Sequence, residues 1–211
     1  MDRPPTPASE SKEDLGFKRK TMVAWFAPLQ LIDAGLRAVL AAVFGTYADK
    51  REMQAALEKP QEHDELAGEE EVWIDYAADL GDGWDSTYTI ARLMAEEQRD
   101  FEYAGENEPQ RYQTRRGQLL ILGGDQVYPT ASREEYRNRF EGPYTAALPC
   151  VVNGKSPLMF AIPGNHDWYD GLTSFMRLFC QGRWIGGWQT KQSRSYFAIR
   201  LPHDWWIWAI D

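Results

Sequence analysis

Three times in succession this sequence runs from a short apolar stretch into a glycine-bearing polar turn and out into a helical pattern. Few folds accommodate that repetition. The first stretch, residues 72–78, ends in Asp79-Leu80-Gly81-Asp82-Gly83. Ser86 or Thr87 can then cap a helix running through Ile90, Leu93 and Met94. The second, residues 118–122, ends in Gly123-Gly124-Asp125-Gln126-Val127-Tyr128-Pro129, and Ser132 with Glu135 makes a capping box for the next helix. The third, residues 158–162, is closed by Pro163-Gly164, carries Asn165-His166-Asp167 directly after, and continues with helical spacing over residues 172–180. The series predicts an α/β fold with a largely parallel sheet covered on both faces. Open α/β sheets place ligands at the carboxyl ends of their strands, where these polar residues fall. Two further strands are expected at 195–201 and 205–210, joined by Pro202-His203-Asp204, the second of them buried.

Four segments follow from the same pattern. Residues 1–20 are polar, carry Pro4, Pro5 and Pro7, and read as a disordered tail rather than a secretory signal. Residues 21–58 read as a helical extension. Pro28 can open the helix, and Leu29, Ile32, Leu36, Val39, Leu40, Val43, Phe44 and Tyr47 recur at three- and four-residue steps. Asp33 and Arg37 are spaced to pair on the opposite face, and they interrupt any span of the roughly 20 apolar residues a membrane crossing needs. The expectation is an amphipathic helix packed on the domain. The competing reading, supported by Lys18, Arg19 and Lys20 just upstream, is peripheral contact of the 29–57 helix with a membrane surface. Residues 59–71 form a charged linker, and 72–211 form the domain that carries the chemistry. The expected location is the cytoplasm, with membrane association as the variant.

The net charge of −9 argues against a nucleic-acid backbone as main partner, which would favour a basic face. It is compatible with a phosphorylated substrate when a bound divalent cation reverses the local field. Cys150 and Cys180 have no metal-like spacing and suggest two reduced, buried thiols.

The strand ends supply Asp79, Asp125, and Asn165 with His166 behind it. Carboxylates converging from adjacent strands repel one another unless a cation sits between them. Two cations roughly 3.5–4 Å apart form the clamp used for in-line displacement at phosphorus. A plainer reading exists for each residue. Asp79 and Asp125 can be turn or capping carboxylates, and Tyr128 can be a half-buried turn residue before proline. Asp82 is a substitute ligand or a support for one if Tyr128 is not engaged. His203 reads as a hairpin-turn residue and His63 as a solvated linker residue. Trp168, Trp184 and Trp188 can wall a pocket or fill a core, and nothing selects Arg183 or Arg194 as phosphate contacts.

Gly124-Asp125 followed by Gly164-Asn165-His166-Asp167 resembles the calcineurin-like metallophosphoesterase superfamily. In that superfamily the first motif is usually Asp-x-His; here it is Asp79-Leu80-Gly81. Together with Gly124-Asp125-Gln126-Val127-Tyr128, which fits Gly-Asp-x-x-Tyr, this resembles the purple acid phosphatase branch, where a tyrosinate replaces the histidine. The resemblance covers about residues 72–211 and implies the N-terminal half of a layered α/β metallophosphoesterase sandwich. It implies that Asp79 and Tyr128 bind a first metal, that Asp125 bridges two, and that Asn165 binds the second. His166 would contact the phosphate and either stabilise the transition state or protonate the leaving oxygen, with Asp167 orienting it. The implied cofactors are Fe(III) with a divalent Fe, Zn or Mn if Tyr128 is a ligand, and otherwise two divalent metals such as Mn or Zn. The implied reaction is hydrolysis of a phosphoester, on a small molecule or a protein, by a metal-bound hydroxide.

The superfamily's later histidine motifs have no counterpart before Asp211, so the expectation is a domain truncated at its C-terminal end and inactive as this piece alone. The alternative to an enzyme is a metal-free relative that keeps the fold as an interaction or regulatory module.

Overall fold

The computed structural model describes residues 16–44, 50–58, 62–104, 109–151 and 154–211. Most of the predicted tail, with part of the linker, lies outside the described residues. The chain opens with α1 (Pro28–Phe44), α2 (Lys50–Ala55), the short strand β1 (Glu62–His63), β2 (Ile74–Ala77) and α3 (Trp84–Met94). A hairpin of β3 (Gln98–Ala104) and β4 (Pro109–Arg115) leads to β5 (Leu119–Leu122). Then come α4 (Arg133–Glu135), a π-helical turn Tyr136–Glu141, α5 (Gly142–Ala147), β6 (Leu158–Ala161) and α6 (Thr173–Phe179). The last strands are β7 (Trp184–Ile185), β8 (Trp188–Thr190), β9 (Phe197–Arg200) and β10 (Trp206–Ala209).

The molecule is mixed α/β. Its main sheet has the order β2-β5-β6-β8-β7, parallel from β2 to β8 with β7 antiparallel at the edge. Strand alternation sends side chains to two cores. Leu120 and Leu122 of β5, with Met159 and Ala161 of β6, face a cluster completed by Phe140, Tyr144, Phe175, Phe179 and Trp188. Leu119, Ile121 and Phe160 face the other way, onto Phe197 and Ile199. These belong to a second sheet of order β1-β9-β10. The sheet is therefore covered on both faces as expected, by helices on one side and by strands on the other. β5 is buried at all four positions, which is why it reads as a continuous apolar run.

Several expectations are corrected. α3 starts after Gly83 with no side-chain cap; Ser86 and Thr87 lie inside its first turn, and each turns its hydroxyl back to the Gly83 carbonyl. β10 is not buried: it alternates, with Ile207 and Ala209 on the second core while Trp206 and Trp208 stay exposed. His63 is not solvated; it is buried in β1 with its ring 4.7 Å from that of Phe160. Trp188 is core, and Arg194 is structural, donating to the carbonyls of Gln54 at 3.0 Å and Leu57 at 2.5 Å.

The helical extension divides. α2 docks: buried Gln54 accepts from the Ser195 backbone at 2.5 Å and donates to its hydroxyl at 3.2 Å. α1 does not pack as expected. Its stripe is exposed, with Leu29 at 82 %, Ile32 at 67 % and Val39 at 59 %, and the Asp33–Arg37 pair closes at 2.9 Å. Tyr47, at the end of the predicted stripe, lies outside the described residues. Among the described residues no helix is long and apolar enough to cross a membrane.

The cysteines differ from each other. Cys180 is buried and its thiol is pushed up to about 12 by burial, while Cys150 is half-exposed. A thiol reagent added to the native protein is expected to modify Cys150 quickly and Cys180 only on unfolding. Equal rates for both would contradict this placement.

Candidate functional site

The three polar turns are laced together at the carboxyl edge of the main sheet. The Asp79 amide donates to the Gly124 carbonyl at 3.1 Å and the Tyr128 amide to the Gly81 carbonyl at 3.1 Å. The Ala131 amide donates to the His166 carbonyl at 3.3 Å. This approach needs glycine at 81, because a Cβ there would overlap the Gln126 carbonyl and the Val127 backbone. The unusual Asp-x-Gly motif thus has a packing cause: no side chain of any kind fits at its third position. Asp79 and Asp125 both take left-handed backbone, φ 59° and 51°, which turns each carboxylate back over its strand end.

The result is a compact oxygen cluster. The Tyr128 hydroxyl lies 2.8 Å from Asp79 Oδ1 and 3.1 Å from Asp125 Oδ2. Asp125 is buried, and its Oδ1 accepts the His166 backbone N–H at 2.9 Å. Burial first, and then the two carboxylates, hold the Tyr128 hydroxyl well above the ordinary phenol range. Without a cation Tyr128 is therefore a neutral phenol whose proton is shared between two acids. Two carboxylates that each lie within hydrogen-bond reach of the same hydroxyl oxygen fit a hard cation that takes the place of that proton.

His166 is held in one tautomer. Its Nδ1 is 2.7 Å from the Pro129 carbonyl, which only accepts, so Nδ1 carries a proton and Nε2 is left for chemistry. The ring sits among aromatics: Tyr128 at 4.6 Å, Tyr169 at 5.0 Å and Trp25 at 6.0 Å between centroids. Asn165 is exposed beside this group, its Nδ2 donating to the Tyr169 hydroxyl at 3.4 Å. Its amide oxygen is the atom suited to a metal.

Asp79, Asp125, Tyr128 and His166 are thus brought together as expected, and Asn165 stands at the margin of the group. Two supporting roles are corrected. Asp167 does not orient His166. It is fully buried, its Oδ2 accepts from the amides of Gly164 at 2.8 Å and Gln126 at 3.4 Å, and its Oδ1 accepts from the Tyr136 hydroxyl. Burial pushes its carboxyl up to about 7, against the pull of those donors. Asp82 is engaged away from the oxygen cluster, its Oδ1 accepting the Val23 amide at 3.1 Å.

Trp25, Tyr136, Tyr169 and the Pro129 carbonyl were not singled out in the sequence. Trp25 lies more than a hundred residues from either contact, and a backbone carbonyl leaves no residue-type signal. Among the described residues no group of three His, Cys, Asp or Glu side chains converges, since two of the donors here are a tyrosine and an asparagine. A cavity of about 980 Å³ lies elsewhere, lined by Phe17, Arg137 and Arg177 among others. Donor chemistry rather than cavity size identifies the candidate site. Compared with protein-family profiles, with curated proteins and with solved structures, the chain matches none.

Proposed function

We propose that this chain carries the dinuclear metal site of a phosphoester hydrolase, on the N-terminal half of a layered metallophosphoesterase sandwich. One observation supports this most: the Tyr128 hydroxyl stands within hydrogen-bond distance of both Asp79 and Asp125. Asp79 and Tyr128 would hold a first metal, Asp125 would bridge two, and the Asn165 amide oxygen would bind the second. Bound there, the metals supply Lewis acidity and a nucleophile at neutral pH. His166, with Nδ1–H committed to the Pro129 carbonyl, presents Nε2, which in the imidazolium form would donate its proton to the leaving oxygen of a phosphorylated small molecule or protein. The acidic chain disfavours nucleic acid as that substrate.

A second reading rests on the same contacts of the Tyr128 hydroxyl with Asp79 and Asp125. A phenol that stays protonated can tie Asp79 to Asp125 with no metal, and the fold would then serve as an interaction module. Metal content and the visible spectrum of the purified protein and of Tyr128→Phe decide between the two. Iron with a tyrosinate charge-transfer band that vanishes in Tyr128→Phe is the expected result for the iron form. Colourless divalent metals retained in Tyr128→Phe would keep the hydrolase and drop the tyrosinate. No metal, even after reconstitution, would leave only the interaction module.

A further inference from the structure

The approach to the site is built from the far end of the chain. Residues 16–27 run as a strap across α3 and the π-helical turn. The Lys20 carbonyl accepts the Trp84 amide at 2.9 Å, and the Lys20 ammonium meets Glu134 and Glu135, each at 3.1 Å. Arg139 donates to the Thr21 carbonyl at 2.9 Å, and Asp82 takes the Val23 amide at 3.1 Å. Immediately past this last anchor the backbone turns, the Trp25 amide donating to the Val23 carbonyl at 2.9 Å and the Ala27 amide to the Ala24 carbonyl at 2.9 Å. The turn lays the half-buried Trp25 indole edge-on to both rings of the site, 5.4 Å from Tyr128 at 77° and 6.0 Å from His166 at 81°. Edge-to-face pairs at these separations are attractive and fix relative ring orientation.

We propose that Trp25 is a positioning residue for His166, so that the candidate site is complete only with the N-terminal strap in place. The proposal rests on the hydrolase reading for its kinetic part and on geometry alone for the rest. Pro129 fixes one nitrogen of the imidazole but leaves the ring free to rock about that hydrogen bond. Tyr128 and Tyr169 contact the ring, and Trp25 adds a third contact from an element outside the catalytic turns. Asp82 gains a role by the same logic, since it anchors the turn that presents Trp25.

The chain has only three histidines, which makes imidazole proton resonances a direct probe. His166→Gln assigns the His166 signals by their loss. In metal-free full chain, Trp25→Ala is expected to shift the His166 signals through loss of the indole ring current and to broaden them as the freed ring rocks, leaving those of His63 and His203 in place. Trp25→Phe is expected to restore narrow lines. In a protein carrying the whole sandwich, with metal and an aryl phosphate, Trp25→Ala is expected to lower kcat about tenfold, a modest misplacement effect, with KM changed less than about twofold and Trp25→Phe recovering most of the loss. Unmoved His166 signals in Trp25→Ala would overturn the proposal whatever the kinetics show. Moved signals with unchanged kcat, in a parent that turns over substrate, would overturn the positioning role. A parent with the whole sandwich that hydrolyses nothing in any metal would instead overturn the hydrolase reading, and the resonances alone would then decide whether Trp25 fixes the ring.

Discussion

Replacing Gly164 with alanine is expected to cost about 2–4 kcal/mol of stability and, on the hydrolase reading, to abolish metal binding, although the change adds one methyl group. The cause is space. A Cβ at 164 would stand 2.5 Å from the Asp125 amide nitrogen and closer still to its carboxylate. Neither atom can retreat. The Asp125 carboxylate is committed to the Tyr128 hydroxyl and the His166 amide, and its backbone sits between two buried turns. The third turn must therefore move away from the second, breaking the His166–Asp125 bond and separating Asn165 from the Asp125 carboxylate. Denaturant midpoint and metal-to-protein ratio check this together. Gly68→Ala is the control, since nothing lies within 4 Å of a Cβ at that position. A Gly164→Ala protein with parental midpoint and metal content would refute the packing argument.

Asp167→Ala should be as damaging, for an electrostatic reason. The carboxylate is fully buried and satisfies three donors, the amides of Gly164 and Gln126 and the Tyr136 hydroxyl. Truncation leaves all three unpaired out of water, at a cost of about 3–5 kcal/mol. That is a large share of the roughly 5–15 kcal/mol that holds an ordinary domain together. Asp167→Asn should stay within about 1 kcal/mol of the parent, because its amide oxygen can serve the backbone donors while its nitrogen donates to the Tyr136 oxygen. Thermal unfolding of the two variants separates the readings. If Asn proves as destabilising as Ala, the negative charge matters rather than the hydrogen-bond pattern, and Asp167 belongs to the electrostatics of the metal site.

Much of this was legible beforehand. The apolar runs that became β5 and β6 are buried on both sides, and such strands leave an unmistakable mark in sequence. Ser132 fulfils half of the predicted capping box by accepting the Glu135 amide at 3.1 Å; the Glu135 carboxylate goes instead to Lys20 and Arg139. The β3–β4 hairpin went unread because its alternation serves no core. Phe101 pairs across from Tyr112 on one face, while Glu102 meets Arg111 at 2.8 Å on the other, and both faces are exposed. A period-2 pattern of charges without a buried side carries little strand signal. α1 misled in the opposite sense: its periodicity is real, but periodicity shows that a helix has an apolar face, never what covers it.

The sequence by itself determined the strand–turn–helix series, the placement of Asp79, Asp125, Asn165 and His166 at strand ends, and the glycines that let those turns approach. Each is local, set by the order of residue types over a few positions. Only the tertiary structure decided which atoms meet. It gave Asp167 to Tyr136 rather than to His166, Asp82 to the strap rather than to a metal, and Nδ1 of His166 to the Pro129 carbonyl. It also brought Trp25 against Tyr128 and His166. These partnerships join residues far apart in the chain, or depend on backbone atoms common to every residue, and a linear order of side chains holds no record of either.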